Sequence, residues 1–177
     1  MIAGAAEADT ERDLDRSRAG RLEALYRAHV ADALRVAYLL TGDRTLAEDL
    51  TQDAFVRVFA SFHDLRNKDA FWWYLRRTLV NQSRSYFRRR RVERSYLARQ
   101  RAAEAASETD LGERERLRAA LMTLRPEQRA AVVLRYYEDL TEAATAEILG
   151  RPIGTVKSMV SRAMNRMREE LSADDRT

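Results

Sequence analysis

Residues 140–171 read LTEAATAEILGRPIGTVKSMVSRAMNRMREEL, and this stretch decides the fold. Thr141 can cap a short helix that runs to Leu149, because its hydroxyl can accept a hydrogen bond from the first helical turn. Residues 150–154, GRPIG, then break the chain, since glycine adopts special backbone angles and proline cannot continue a helix. A second helix is predicted to start near Thr155. The pattern indicates a helix-turn-helix.

The second of these helices has two different faces. At about 100° per residue, its apolar residues fall on one side, and its hydroxyls, amides and cations fall on the other. The apolar set is Val156, Met159, Val160, Ala163, Met167 and Leu171, and the polar set includes Thr155, Ser158, Ser161, Arg162 and Asn165. Any surface helix has an apolar and a polar side. The tight break before the helix and the mixture of small hydroxyls with cations favour a helix that enters a DNA major groove.

Composition limits the classes of function. The 177 residues can form one ordinary domain or two small ones, and they carry a net charge of +4. Nearly all cations are arginines, which suit phosphate and base-edge contacts, although genomic composition bias produces the same excess. No cysteine is present, and His29 and His63 match no metal-ligand spacing, so neither a metal nor a cofactor is expected. The chain shows no signal peptide and no run of about 18 apolar residues, so we expect a cytoplasmic protein without membrane insertion.

The chain is predicted to be all-α, with two small helical domains joined by a linker. Residues 1–19 are interpreted as a mobile N-terminal extension, 20–93 as the first domain and 94–110 as the linker. Residues 111–172 form the second domain, which contains the helix-turn-helix, and 173–177 form a tail. No strand-period alternation occurs.

Three helices are predicted in the first domain. A helix from Arg21 to Leu40 places His29 on its apolar face, where it is expected to be a core-boundary residue. A capping box over residues 45–48 starts the second helix, and Asp69 is a plausible N-cap for a third that runs to about Arg90. The predicted core positions of the second and third helices are Leu46, Ala47, Leu50, Ala54, Val58, Phe71, Leu75, Leu79 and Tyr86.

Two outward faces of this domain carry opposite charge. On the third helix, Trp73, Arg77, Asn81, Arg84 and Arg88 recur at helical spacing, and the run Arg88–Arg91 follows. Bases stack on aromatic rings and guanidinium groups follow phosphates, so this face suits an unpaired DNA strand. Alternatively, Trp73 belongs to the core and the arginine run is a solvated helix end.

The second helix exposes an acidic face that would repel DNA, formed by Asp49, Gln52 and Asp53 with Val56 beside them. The face is either solvated or binds a basic protein partner. The chain has no phosphate-binding glycine loop and no nucleophile elbow, so an enzyme is not expected.

Three blocks of the sequence together resemble the extracytoplasmic-function (ECF) sigma factors of bacterial RNA polymerase, within the sigma-70 family. AEDLTQDAF at 47–55 is similar to region 2.2 of that family. FWWYLRR at 71–77, with Asn81 and the arginines of 84–91, resembles regions 2.3 and 2.4. LRPEQR at 124–129, ILG at 148–150 and GTVKS at 154–158 resemble region 4. The blocks span about 150 residues in the family's order.

The resemblance implies a subunit that binds core RNA polymerase, recognises the −35 and −10 promoter elements and opens the −10 DNA. Asp49, Gln52, Asp53 and Val56 would dock on the polymerase. The −10 DNA would be held by His63, Asn67, Lys68, Trp73, Arg77, Asn81, Arg84 and Arg88. The −35 element would be read by Thr155, Lys157, Ser158, Ser161, Arg162 and Asn165. The resemblance also allows for an anti-sigma factor as a partner, which the sequence does not identify.

The sequence departs from the family pattern at three positions of region 4. Ala144 and Thr145 stand where Glu and a large aliphatic residue are usual, and Met159 stands where Arg is frequent. We therefore expect a slightly less stable region 4 and fewer phosphate contacts.

Two alternatives to a sigma factor are open. One is a stand-alone helix-turn-helix regulator, which has no need of the acidic face. The other is a helical adaptor, which has no need of the cationic faces.

Overall fold

The computed structural model describes the backbone of residues 3–61, 68–97 and 112–174, and the side chains of 18–61, 70–91, 112 and 114–173. All regular structure in these ranges is helical, as predicted. The helices are α1 (Ala3–Thr41), α2 (Arg44–Ser61), α3 (Lys68–Leu97), α4 (Glu113–Thr123), α5 (Pro126–Val132), α6 (Glu142–Leu149) and α7 (Ile153–Asp174). A π-helical turn, Val133–Tyr137, continues α5.

The first helix is longer than the sequence pattern indicated. It begins at Ala3 and not at Arg21, so its backbone includes most of the segment interpreted as an N-terminal extension. Leu25, Ala33, Val36 and Leu40 are buried on one face of this helix. His29 stacks on Trp72, with ring centroids 5.2 Å apart. This agrees with a core-boundary residue.

The second helix begins with a different cap from the one predicted. Asp43 Oδ1 accepts the backbone N–H of Leu46 at 3.0 Å, so Asp43 caps α2 and the predicted box over 45–48 is wrong. Thr45 therefore lies inside the helix. The predicted core residues Ala47, Ala54 and Val58 are buried, whereas Leu46 and Leu50 are only half-buried.

An aromatic cluster holds α1, α2 and α3 together. Phe55 of α2 is 2% exposed, and its ring lies 4.8 Å from that of Tyr26 and 6.1 Å from that of Phe71. Phe71, Leu75 and Leu79 are fully buried on α3, as predicted. The cluster rotates α2 so that Phe55 points inward in place of Leu50. Asp69 lies inside α3, which begins at Lys68 and extends to Leu97, beyond the predicted end near Arg90.

The helix-turn-helix forms where the sequence predicted it. Thr141 Oγ1 accepts the backbone N–H of Ala144 at 3.1 Å and caps α6. Gly150 ends α6 with φ of +61°, a left-handed conformation that glycine adopts without strain. The following helix begins at Ile153, two residues before the predicted Thr155, because Pro152 O accepts the N–H groups of Thr155 and Val156.

The two helical units pack against each other, which the sequence did not predict. Arg129 of α5 is 5% exposed and donates to Leu40 O at the end of α1 at 2.8 Å and to Leu124 O at 3.1 Å. Burial lowers the pKa of the Arg129 guanidinium to about 10, so the group is charged at neutral pH. A second link joins Arg76 of α3 to Glu138 at 3.0 Å, with side chains only 11% and 8% exposed.

Thr145 introduces a polar atom into the core of the second unit. Its side chain is fully buried, and its Oγ1 has no hydrogen-bond partner among the described residues. A buried hydroxyl without a partner destabilises a protein by about 1–3 kcal/mol. The departure from an aliphatic residue at this position therefore lowers the stability of the helix-turn-helix.

We predict that Thr145→Val raises the free energy of unfolding by about 1 kcal/mol, because valine keeps the shape and removes the buried hydroxyl. Urea denaturation followed by circular dichroism measures the change. The control Thr141→Val removes the α6 cap and should lower stability by about 0.5–2 kcal/mol. A Thr145→Val protein no more stable than the wild type contradicts the assignment.

Candidate nucleic-acid interface

The polar side of α7 is exposed to solvent. Its apolar residues Val156, Met159, Ala163 and Met167 are buried against the rest of the second unit. All six polar residues predicted for the DNA-facing side are exposed: Thr155, Lys157, Ser158, Ser161, Arg162 and Asn165. The structure thus brings these six together on one face.

Several of these side chains are held by neighbours. Arg162 Nε donates to Ser158 O and Arg162 Nη2 donates to Ser158 Oγ, both at 3.1 Å. Asn165 Oδ1 accepts from Arg168 at 2.7 Å, and Lys157 Nζ lies 3.2 Å from Glu142 Oε2. The guanidinium of Arg162 is therefore oriented before any ligand arrives, and its planar fork matches paired acceptors on a guanine edge.

The cationic face of α3 combines an aromatic ring with guanidinium groups. The Arg77 guanidinium carbon lies 5.2 Å from the centroid of the Trp73 ring, an arrangement that holds the cation over the indole. Trp73 is half-buried and packs on the edge of the core, and its role in DNA binding stays a prediction. Arg77, Asn81 and Arg88 are exposed.

Arg84 differs from the other cations of this face. It donates to Glu127 Oε1 at 2.8 Å and to Leu149 O at 3.0 Å, both on the second helical unit. Glu127 also accepts from Arg151 at 2.7 Å. Hydrogen bonds from Arg151 and then Arg84 hold the pKa of the Glu127 carboxyl below its usual range, so it is ionised at neutral pH. The sequence predicted a side chain available to DNA, whereas the structure engages it in an internal ion pair.

A cleft separates α3 from α5 and α7. Its volume is about 1000 Å³, and it is lined by Asn81, Arg84, Ser85, Phe87, Arg88, Arg91, Arg125, Pro126, Glu127, Gln128, Met159 and Arg162. Asn81, Arg84 and Arg88 of the α3 face thus border the same space as Arg162 of α7. Their sequence separation of more than 70 residues gave no signal of this arrangement.

The acidic face of α2 points away from the core. Asp49, Gln52 and Asp53 are exposed, and Val56 is 67% exposed. An exposed valine beside carboxylates suits contact with a partner protein whose surface is apolar at its centre and basic at its edge. The structure brings these four predicted residues onto one surface.

Three predicted residues cannot be placed in the interface. His63 and Asn67 lie outside the described residues, and so does the side chain of Lys68, whose backbone begins α3. Within the described residues, no group of three or more His, Asp or Glu side chains could hold a metal ion. None of the helices searched is long and apolar enough to cross a membrane.

Three residues that join the two units were not predicted from the sequence: Arg76, Arg129 and Glu138. Arg129 carried no signal of this role in the sequence, since arginine is seldom fully buried in proteins. Arg76 and Glu138 are 62 residues apart, and no local pattern links them.

Comparison with known proteins gives two family matches. Residues 25–93 match the sigma-70 region 2 family and residues 114–167 match the sigma-70 region 4 family. The RNA polymerase sigma-E factor of Streptomyces avermitilis is 36% identical over 143 residues, which cover 80% of each chain. The sigma-E factor of Streptomyces coelicolor is 37% identical over 146 residues, 80% of this chain and 81% of the relative.

A solved structure has the same fold. The sigma factor RpoE from Bartonella quintana, in complex with the anti-sigma factor NepR, is 29% identical with a TM-score of 0.61. The alignment covers 92% of this chain and 99% of that one.

A helix-turn-helix combined with a cationic helix and an acidic one is the organisation of a transcription initiation factor. The chain belongs to the sigma-70 family of RNA polymerase sigma factors, in its ECF group. Its partners are core RNA polymerase and promoter DNA, and such factors regulate transcription rather than catalyse a reaction. Family membership sets aside the stand-alone regulator and the adaptor.

Proposed function

We propose that this sigma factor reads the −35 promoter element with α7, opens the −10 element with α3 and docks on core polymerase through α2, acting in the bacterial cytoplasm. The observation that carries the proposal is the exposure of all six polar residues of α7 opposite its buried apolar side. A recognition helix requires this division, because one side anchors it and the other reaches the bases.

Arg162 and Lys157 have different tasks in −35 recognition. Arg162 presents a fork of donors oriented by Ser158, which suits the O6 and N7 acceptors of a guanine. Lys157 is a single point charge near the start of α7 and suits a phosphate. Met159 is 7% exposed, so the position where the family often has an arginine contributes packing and no phosphate contact.

The α3 face suits a separated strand better than a duplex. Trp73 with Arg77 over its ring forms a platform on which a base can stack, and such stacking contributes about 1–3 kcal/mol per base. Asn81 offers an amide to a base edge, and Arg88 a cation to a phosphate. Binding energy of this kind offsets the unpairing of the −10 DNA.

The α2 face supports polymerase docking because it is acidic in a protein that binds DNA. Asp49, Gln52 and Asp53 form no hydrogen bond or ion pair within the described residues, so they are available to a partner. Carboxylates placed beside an exposed Val56 favour a basic partner surface with an apolar centre.

The function is tested by transcription with core RNA polymerase on a pool of random promoters. New start sites that share −35 and −10 sequences at a fixed spacing are expected. Start sites identical to those of core polymerase alone contradict the proposal.

We predict that Asp49→Arg combined with Gln52→Ala reduces core-polymerase affinity by at least about tenfold, because it places a cation against a basic partner surface. Binding is measured by pulldown and fluorescence anisotropy, and circular dichroism checks the fold. The control Asp32→Arg reverses an exposed charge on α1 and should bind normally. Normal binding of the double variant would remove the docking assignment.

We predict that Arg162→Ala lowers transcription from −35-dependent promoters by about tenfold, since one bidentate arginine contributes about 1–3 kcal/mol of base discrimination. Opening of the −10 DNA should be unaffected, as measured by permanganate footprinting on a fully paired promoter at a saturating concentration of the polymerase complex. Arg114→Ala removes an exposed guanidinium of α4 and serves as the control. An unchanged profile of −35 base preferences in Arg162→Ala shows that the reading face lies elsewhere.

A further inference from the structure

The cleft between α3, α5 and α7 carries more positive charge than its own carboxylate neutralises. The charged side chains that line it are Arg84, Arg88, Arg91, Arg125, Arg162 and Glu127. One carboxylate oxygen of Glu127 is shared by Arg84 at 2.8 Å and by Arg151 at 2.7 Å. The other four arginines of the lining have no carboxylate partner among the described residues.

These four cations come from both sides of the cleft. Arg88 and Arg91 lie one turn apart on α3, whereas Arg125 directly precedes α5 and Arg162 lies on α7. All four are exposed, and Ser158 Oγ accepts from Arg162 Nη2 at 3.1 Å. Like charges that line one confined space repel one another, so a negatively charged ligand between them relieves the repulsion.

The rest of the lining is both apolar and polar, as in sites for small molecules. The apolar side chains are Phe87, Pro126 and Met159, and the uncharged polar ones are Asn81, Ser85 and Gln128. Gln128 Oε1 accepts the backbone N–H of Arg125 at 3.3 Å, which leaves the amide NH₂ of Gln128 as a donor. The cleft volume of about 1000 Å³ lies at the upper end of the range for small-molecule sites, so a ligand of nucleotide size fits.

We propose that the cleft is a binding site for a small polyphosphate anion, whose phosphate groups contact Arg88 and Arg91 on one side and Arg125 and Arg162 on the other. Guanidinium groups bind phosphate oxygens through paired, charge-assisted hydrogen bonds. A phosphate monoester carries a charge of about −1.5 to −2 at neutral pH, so a single phosphate leaves most of the four cations unmatched. A short chain of phosphates matches them and spans both sides.

Two kinds of molecule supply this chemistry, an inorganic polyphosphate and a nucleoside triphosphate. A nucleoside triphosphate adds a base, for which the ring of Phe87 and the amide of Gln128 are suitable contacts. One face of the Phe87 ring is covered, because the Arg129 guanidinium carbon lies 5.3 Å from its centroid. A base therefore has a single aromatic surface in the cleft.

The site overlaps the surfaces proposed for promoter DNA. Arg88 is a proposed −10 contact and Arg162 a proposed −35 contact, so an anion in the cleft competes with promoter DNA for both. This consequence rests on the proposed function. Binding of the anion itself requires only the described cleft.

The proposal is tested by isothermal titration calorimetry on the full chain, with inorganic tripolyphosphate and with orthophosphate as probes. We expect one tripolyphosphate per chain, bound at least about tenfold more tightly than orthophosphate, because each further guanidinium contact adds a charge-assisted hydrogen bond. The measurement uses neither DNA nor polymerase. A protein that recognises no promoter would therefore defeat the proposed function and leave this result intact.

Variants on the two sides of the cleft locate the site. Arg91→Gln and Arg125→Gln each remove a cation that is absent from the proposed DNA contacts, and each should weaken tripolyphosphate binding by about tenfold. The controls Arg89→Gln and Arg114→Gln remove exposed cations that do not line the cleft, and should bind like the wild type. Circular dichroism checks that all four variants fold.

Two further probes identify the source of the phosphate chain. Adenosine and guanosine triphosphates that bind more tightly than tripolyphosphate, with the same sensitivity to Arg91→Gln and Arg125→Gln, support a nucleotide site. Equal affinities support a site for the phosphate chain alone.

Three outcomes overturn the proposal. Tripolyphosphate that binds no more tightly than orthophosphate shows that the cations do not act together. Equal losses in the cleft variants and the controls show diffuse attraction by the whole basic surface. A single-stranded hexathymidylate that binds more tightly than tripolyphosphate and depends on Arg91 and Arg125 shows that the cleft is a path for a DNA strand.

Discussion

The structure depends on one buried cation, the guanidinium of Arg129. It contacts Leu40 O at the end of α1, Leu124 O before α5 and Met122 Sδ on α4, and it lies 5.3 Å from the centroid of the Phe87 ring on α3. Four helices thus converge on a charge that carbonyl dipoles, and no carboxylate, stabilise. The two Nη nitrogens are bound by these acceptors, while the buried Nε has no partner among the described residues. Because a buried charge needs such partners, the positions of these helices are mutually constrained. Lysine could not replace this residue, because it lacks a planar fork that reaches four acceptors, of which Met122 O is the fourth.

Local patterns were sufficient for most of the fold. The helix-turn-helix followed from the Thr141 cap, the left-handed Gly150 and a period of 3.6 residues in α7, all of which are set within a few residues of chain. The outward faces of α2 and α3 followed from the same periodicity. The errors were also local: Asp43 outcompeted Thr45 as the cap, and Phe55 displaced Leu50 from the core because aromatic contacts between helices decide the rotation of α2.

The relation between the two units could not be predicted from a single sequence. Arg84 and Glu127 are 43 residues apart, and Arg129 and Leu40 are 89 apart. Arg84 and Arg129 both resembled surface cations in the sequence. An arginine that has a partner inside the protein and an arginine that faces DNA can have the same kinds of neighbouring residues along the chain. Which role a given arginine takes is decided by tertiary packing. The exposed faces of α2, α3 and α7 could therefore be predicted from the sequence, whereas the ion pair between Arg84 and Glu127 could not.

The unpaired arginines around the cleft have a consequence for the ions in solution. The cleft is lined by five arginines and one carboxylate, that of Glu127. Such an excess of positive charge attracts anions such as chloride or phosphate, as the DNA backbone concentrates sodium and potassium. When promoter phosphates take the place of these anions, the anions leave the protein while cations leave the DNA. The salt dependence of promoter binding therefore contains contributions from both macromolecules. If the slope of the logarithm of the binding constant against the logarithm of salt concentration is interpreted only as a number of phosphate contacts, that number is overestimated.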